Sequence, residues 1–179
     1  MGTADSYEVA GLHAASWREI YTGIASDDYL TEDLESDRLR FWNKRLASPH
    51  TDEQGWIASI GDHPVGFVYV LGDAHPLWGT RIHNLHVARH ARGRGVAKEL
   101  IWHACEWIAA TSSVHGVWLW VYAENRSAVS FYESIGGVSV EQEMRVVPGG
   151  GEARGIRYAW PSAGELQERI GRSGARGER

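Results

Sequence analysis

The sequence predicts an α/β fold, a mixed sheet with helices on its faces. Two observations carry that expectation. Apolar, strand-like runs feed straight into helices within residues 84–110 and 116–135, the first through an arginine- and glycine-rich turn. Around these junctions the elements follow the order helix, helix, strands, helix, strand, helix, strands. At 179 residues, 43% hydrophobic and 23% charged, the chain has the size and composition of one globular domain with a sizeable core, which excludes a disordered chain.

Residues 9–21 read as a helix, because Ala10, His13, Ala14, Trp17 and Tyr21 recur at steps of three and four. Thr22 and Gly23 end it. A second helical stretch starts near Ser26, Asp27 and Asp28, whose side chains can cap a first turn. In one piece or two, it carries Tyr29, Leu30, Leu34, Leu39, Trp42 and Leu46 as far as Pro49. Residues 55–60 and 65–71 read as an antiparallel hairpin about the turn Gly61-Asp62-His63-Pro64. A loop at 72–79 then leads to a strand at 81–87.

The helix at about 95–110 keeps Val96, Leu100, Ala104, Trp107, Ile108 and Thr111 on one side. Lys98, Glu99, His103 and Glu106 keep to another. Cys105 lies beside the apolar side and reads as a buried, inert thiol. A strand at 116–122, a helix at 125–135 and strands at 138–147 and 154–160 follow, the last two joined by Pro148-Gly149-Gly150-Gly151. One domain over residues 1–161 is expected, then a polar tail at 162–179 with at most a short helix around 165–170.

A net charge of -5 argues against nucleic-acid binding, which needs a basic field. The single cysteine excludes an intramolecular disulfide and fits a reducing cytosol. No stretch approaches the length of a membrane span, and no basic-then-apolar leader opens the chain. A cytoplasmic protein without membrane partners is expected.

The turn Arg92-Gly93-Arg94-Gly95 opens the third helix. Such a junction aims several backbone N–H groups, and the positive end of the helix dipole, at one point. Glycines allow close approach, and Arg92 and Arg94 add donors suited to phosphate oxygens. An anion belongs there, and a pyrophosphate fits best. Downstream, Asn125 starts a helix that carries Phe131-Tyr132-Glu133 and stops at Gly136.

With these two motifs in this order, the chain resembles the GNAT superfamily of N-acetyltransferases. That family's phosphate loop reads Arg/Gln-x-x-Gly-x-Gly/Ala, which Arg92-Gly93-Arg94-Gly95-Val96-Ala97 satisfies. Its second motif, Asn-x-x-Ala-x-x-Phe-Tyr-Glu and then Gly, is met from Asn125 to Gly136. The resemblance implies acetyl-CoA as donor and a primary amine, small molecule or peptide, as acceptor. It puts the pyrophosphate on the amides of residues 92–97. Backbone groups of Leu85 and Val87 would hold the pantetheine arm where their strand splays from the next one. The side chains of both can serve as core at the same time.

Asn125 caps its helix, binds the cofactor arm, or does both. Residue by residue, Tyr132 reads as an aromatic packed with Ala128 and Ile135. The resemblance instead makes it the general acid that protonates the departing CoA thiolate, with a backbone N–H of Leu85 or Val87 at the oxyanion. Many relatives carry a Glu eight residues before the position of Val87, where this chain has Gly79. His83 and His86 are alternative bases, but at a spacing of three they face opposite ways unless the strand bulges. Water relayed to Asp28 or Glu32 is another route.

Trp17, Tyr21 and Tyr29 are either core or part of the acceptor wall. The acids of residues 26–37 either charge the cleft or form a solvated face. In the resembled family the last strands often pair between subunits, so a homodimer is a further expectation. A Walker site fails for want of Gly-Lys-Ser/Thr, and a Rossmann site fails on glycine spacing. Nine histidines are scattered without metal-ligand spacing, so no metal is expected. The competing function is a catalytically silent acyl-CoA sensor or interaction module of the same fold.

Overall fold

Four consecutive side chains explain why the sheet needs cover on both sides. Phe67 and Tyr69 turn to one face of their strand and Val68 and Val70 to the other, and all four are buried. The strand is β2 (His63–His75), part of a computed structural model that describes residues 1–174. Its partners are β1 (Glu53–Ile60), β3 (Gly79–Val87), β4 (Val117–Tyr122), β5 (Val138–Val146) and β6 (Glu152–Trp160). They form one six-stranded sheet in the order β1-β2-β3-β4-β6-β5. Every neighbouring pair is antiparallel except β3 and β4. This is the expected mixed α/β architecture.

Helices α1 (Ser6–Tyr21) and α2 (Leu34–Ala47) cover the Phe67 face, where Val9, Ala10, Trp42 and Leu46 pack. Helices α3 (Val96–Thr111), α4 (Arg126–Ser134) and α5 (Ala163–Gly174) cover the other. There Leu100, Ile101, Ala104, Cys105 and Ile108 meet Val68, Val70 and Leu119. Cys105 is fully buried, and desolvation pushes its thiol up to about 12, so it is the inert thiol expected.

Two boundaries differ from the sequence reading. The loop expected at 72–79 is mostly strand, because β2 continues to His75 and β3 begins at Gly79. His75 closes the short connection by accepting the Leu77 and Trp78 amides on Nδ1, at 3.1 and 3.3 Å. Of the two forms open to the second helix, the structure has the two-piece one, a π-helical stretch at Tyr29–Asp33 followed by α2. The polar tail is largely a twelve-residue helix, with Ala163, Leu166 and Ile170 in the core. Their spacing of three and four was hidden among Gly, Arg and Glu. The remainder of the expected tail, 175–179, lies outside the described residues.

Candidate functional site

The only parallel pair in the sheet comes apart almost at once. β3 and β4 pair at Thr80–Val117 and Arg81–Trp118 and then diverge. Which groups of β3 face the gap is set by a bulge. Tyr69 pairs with Asn84 but Val70 with Ile82, so His83 is an extra residue. Before the bulge, Thr80 donates its N–H to Gly116 on the β4 side at 3.0 Å. After it, Ala88 donates to Val65 on the β2 side at 2.8 Å. Counting back from Ala88, Leu85 and Val87 turn their backbone groups into the gap. Their side chains pack against the core, which leaves their backbone groups facing the gap.

A cleft of about 450 Å³ runs through this gap. On the α3 and α4 side it is lined by Leu85, Val87, Leu119, Val121, Asn125 and Tyr132. Of the glycine-rich turn, Arg92 lines the cleft, whereas Gly93, Arg94, Gly95, Val96 and Ala97 lie outside its lining. Gly95 is the N-cap of α3 at φ 84°, and a Cβ there would meet nothing within 4 Å, so glycine serves the backbone angle rather than space. The first-turn amides of α3, at Val96 and Ala97, have no carbonyl to bond within the helix. Gly93 and Arg94 are exposed beside them.

Arg92 departs from expectation. Its Nε donates to the Val87 carbonyl at 3.0 Å, and both terminal nitrogens hold the Glu19 carboxylate at 2.8 and 2.9 Å. It ties the turn to α1, and each of its three nitrogens already has a partner.

Asn125 is the cap it was expected to be. Its Oδ1 accepts the Ala128 amide and the Ser127 hydroxyl, both at 3.2 Å, while the residue borders the cleft. Tyr132 is 7% exposed, with the rings of Phe131, Tyr158 and Trp160 at 5.4, 6.2 and 6.2 Å. Burial raises its phenol pKa, so the proton stays on at neutral pH.

The α1 and α2 side of the cleft is lined by His13, Trp17, Arg38, Phe41, Arg81, His83, His86 and Trp120, with Tyr21, Tyr122 and Arg145 nearby. The bulge brings His83 and His86 onto this one wall, which a regular strand would not do. All three histidines are held neutral. Burial, then Arg81 and other cations, takes His83 to about 3; burial, then Arg92 and Arg38, takes His86 to about 3. Burial, then His86, lowers His13 likewise. His86 Nδ1 lies 2.9 Å from the Ser16 hydroxyl, and its ring is 4.6 Å from that of His13.

Gly79 explains the missing acid. It sits at φ 74°, and a Cβ there would overlap the Gly116 carbonyl oxygen and lie 2.6 Å from that of Val114. The apex of the β3–β4 divergence is too tight for a side chain.

Other expected residues are elsewhere. Tyr29 packs in the α1 core and donates to Asp37, away from the lining. Asp28 and Glu32 are exposed and outside it. Among the described lining residues there is no carboxylate; Asp27, Asp28, Glu32, Asp33 and Glu35 form a solvated face, and Asp37 is held by Tyr29 and Arg38. Arg38, Arg81, Arg145 and His13 were missed, since nothing local marks residues brought together from α1, α2, β3 and β5. Among the described residues no group of acids, histidines and cysteines could hold a metal, and no helix is long and apolar enough to cross a membrane.

The sequence matches the family model described as Acetyltransferase (GNAT) family over residues 14–137. The chain belongs to the GNAT acetyltransferase family. Comparison with curated proteins by sequence gives no match. Among solved structures, the chain is similar to the PaiA N-acetyltransferase of Thermoplasma acidophilum in complex with coenzyme A. The TM-score is 0.71 at 15% identity, covering 89% of this chain and 96% of that one. It is also similar to a mutant of the spermidine N-acetyltransferase SpeG from Vibrio cholerae, with TM-score 0.63 at 18% identity over 94% and 96%. Arabidopsis thaliana NAA60, with a bisubstrate analogue, gives 0.54 at 21% identity over 68% and 81%. At these identities the likeness shows a shared GNAT fold.

Proposed function

We propose that this GNAT domain is an acetyl-CoA-dependent N-acetyltransferase that moves the acetyl group to a primary amine by direct attack. The supporting observation is the gap between β3 and β4, which both the backbone of Leu85 and Val87 and the protonated phenol of Tyr132 border. Its residues suit the cofactor. Open amides stand at a helix N-terminus beside an unpaired strand edge, and a solved relative carries coenzyme A on the same fold. Acetyl-CoA supplies the activated acetyl group.

The amides of Gly93, Arg94, Gly95, Val96 and Ala97 hold the pyrophosphate, with the Arg94 guanidinium beside them. Arg92 keeps the turn in place through Glu19. Leu85 and Val87 extend the sheet's hydrogen bonding to the pantetheine arm, and one of their N–H groups holds the charge that develops on the carbonyl oxygen. Asn125 keeps its capping bond while its amide nitrogen serves the arm. As the N–C bond forms and the C–S bond breaks, Tyr132 gives its proton to the sulfur. The new amide nitrogen sheds its extra proton to water, and the phenolate takes one back from solvent.

The amine must arrive uncharged. Desolvation and four lining arginines lower the pKa of a bound ammonium, so it sheds its proton on entry. His83 and His86, neutral on the same wall with pKa values of about 3, are too weakly basic to take that proton, which passes directly to water. Turnover therefore rises with pH until the bound amine is neutral, with no inflection near 6.5 from these histidines. A pH–rate profile with a histidine limb near 6.5 contradicts that assignment.

A silent acyl-CoA module remains the second reading, favoured by Gly79 where many relatives carry an acid. Tyr132→Phe separates the two. Steady-state assay is expected to give a kcat lower by about 10²–10³-fold with acetyl-CoA affinity retained. Unchanged turnover removes Tyr132 as the acid. Binding of acetyl-CoA by the intact protein without transfer to any amine establishes the module. The buried Cys105 supports a cytoplasmic setting. The edge strand β5, with Val138, Met144 and Val146 exposed, supports pairing with a second copy.

A further inference from the structure

The acceptor wall contains a cation that the fold does not balance. Arginines around it have carboxylate partners: Arg38 has Asp37 at 2.7 Å, Arg45 has Glu53 at 3.2 Å, Arg92 has Glu19 at 2.8 Å and Arg157 has Glu141 at 3.0 Å. Arg145 pairs with Glu143. The Arg81 side chain has no ion pair or hydrogen bond among the described residues. Its guanidinium rests on the Trp118 ring, 5.2 Å from the centroid. Burial, and then Arg145, Arg157 and Arg45, bring its pKa down to about 10.

Unmet polar atoms collect on the same wall. Arg81 Nε, Arg38 Nε, His13 Nε2, His83 Nδ1 and Asn84 Oδ1 are buried without a partner, and all five residues line the cleft. Native interiors leave few such atoms, so their convergence on one surface points to a ligand. Donors predominate. His13 accepts the Trp42 indole N–H on Nδ1 at 3.0 Å, so the proton of its neutral ring sits on Nε2, facing an absent acceptor. Arg38 is 9% exposed, stacked 4.8 Å over Trp17.

We propose that this wall is a subsite for an oxyanion carried by the amine acceptor, with Arg81 as its main ligand and Arg38 and His13 beside it. A carboxylate, phosphate or sulfonate would take the forked donors that no protein carboxylate occupies. A polycation entering the same cleft would meet four arginines and no acid. The subsite rests on the acetyl-transfer reading, since it names which amines that reaction takes.

The test is acetyl transfer by the intact protein to matched acceptors. These are α-amino acids against their carboxamides and decarboxylated amines, aminoalkylphosphonates against alkylamines, and spermidine. Each oxyanion-bearing amine is expected to exceed its partner in kcat/KM by at least ~10-fold, one charge-assisted bidentate contact. Arg81→Met is expected to bring that ratio towards one through KM, while Arg81→Lys keeps part of it. Calorimetric binding of acetyl-CoA by each variant reports folding and tests the parent reading separately. If acetyl-CoA does not bind, the parent reading fails, and inorganic phosphate titrated into intact and Arg81→Met protein still measures the subsite. Equal rates for paired acceptors, a preference for spermidine, or a ratio untouched by Arg81→Met overturns the proposal. Phosphate binding without discrimination among amines assigns the wall to a free anion and also overturns it.

Discussion

The two mouths of the cleft are built by different means. Towards α3 and α4 the site consists of backbone: a glycine turn, the first amides of a helix, and the free edge of β3 below its bulge. One phenol, Tyr132, stands beside them. Towards α1 and α2 it consists of side chains gathered from five elements, among them His13, Arg38, Arg81, Trp120 and Arg145. A backbone site depends on shape and tolerates wide change in sequence. Chains 15% and 18% identical to this one accordingly share its fold. A side-chain site depends on each residue present, and is where one member of a family departs from another.

The comparison can be broken first where the two halves meet. Gly79→Glu would restore the acid usual in relatives, but it forces a side chain to φ 74° against two carbonyl oxygens. It is expected to destabilise the protein by ~3 kcal/mol or more, read from denaturant midpoints. A variant as stable as the parent would show that the apex can open.

Acid sharpens the comparison, because it acts on the side-chain half. Unfolded imidazoles bind protons near 6.5, whereas folded His83 and His86 do so only near 3. Below 6.5 the unfolded state therefore holds more protons, and stability falls as pH drops. Together the two histidines are expected to remove ~3 kcal/mol between pH 6.5 and 5, measured by urea unfolding. Constant stability across that window would mean that the histidines are not held neutral.

The smallest effect divides the roles of one residue on the backbone side. Asn125→Ala should lose ~1 kcal/mol of stability with the cap. Asn125→Asp should keep the cap but weaken acetyl-CoA binding, because Nδ2 is gone. Equal acetyl-CoA affinity in Asn125→Asp would leave Asn125 a cap alone.

The same division decides what could be read from the chain. The turn at Gly95, the cap at Asn125 and the position of Tyr132 were legible, because their residues lie close together in sequence and their spacing reflects local geometry. Leu85 and Val87 were legible only through the family pattern. Their orientation depends on the bulge at His83, which no turn residue announces. The engagement of Arg92 was hidden because its partner, Glu19, lies 73 residues away on α1. The balance of charge was hidden for the same reason. Nothing in the sequence tells that Arg81 goes unpaired while Arg38, Arg92 and Arg145 find carboxylates. The last helix was underrated because three buried side chains sit in a polar composition.

The central claim is that the gap between β3 and β4 receives acetyl-CoA, with its pyrophosphate on the turn at Gly95. Titration calorimetry of acetyl-CoA into the intact protein and into Gly95→Asp tests it most directly. Micromolar binding by the intact protein, abolished by a carboxylate placed at the positive-φ cap, is the expected result. Absence of binding by the intact protein would contradict the claim, and with it the roles given to Leu85, Val87, Asn125 and Tyr132.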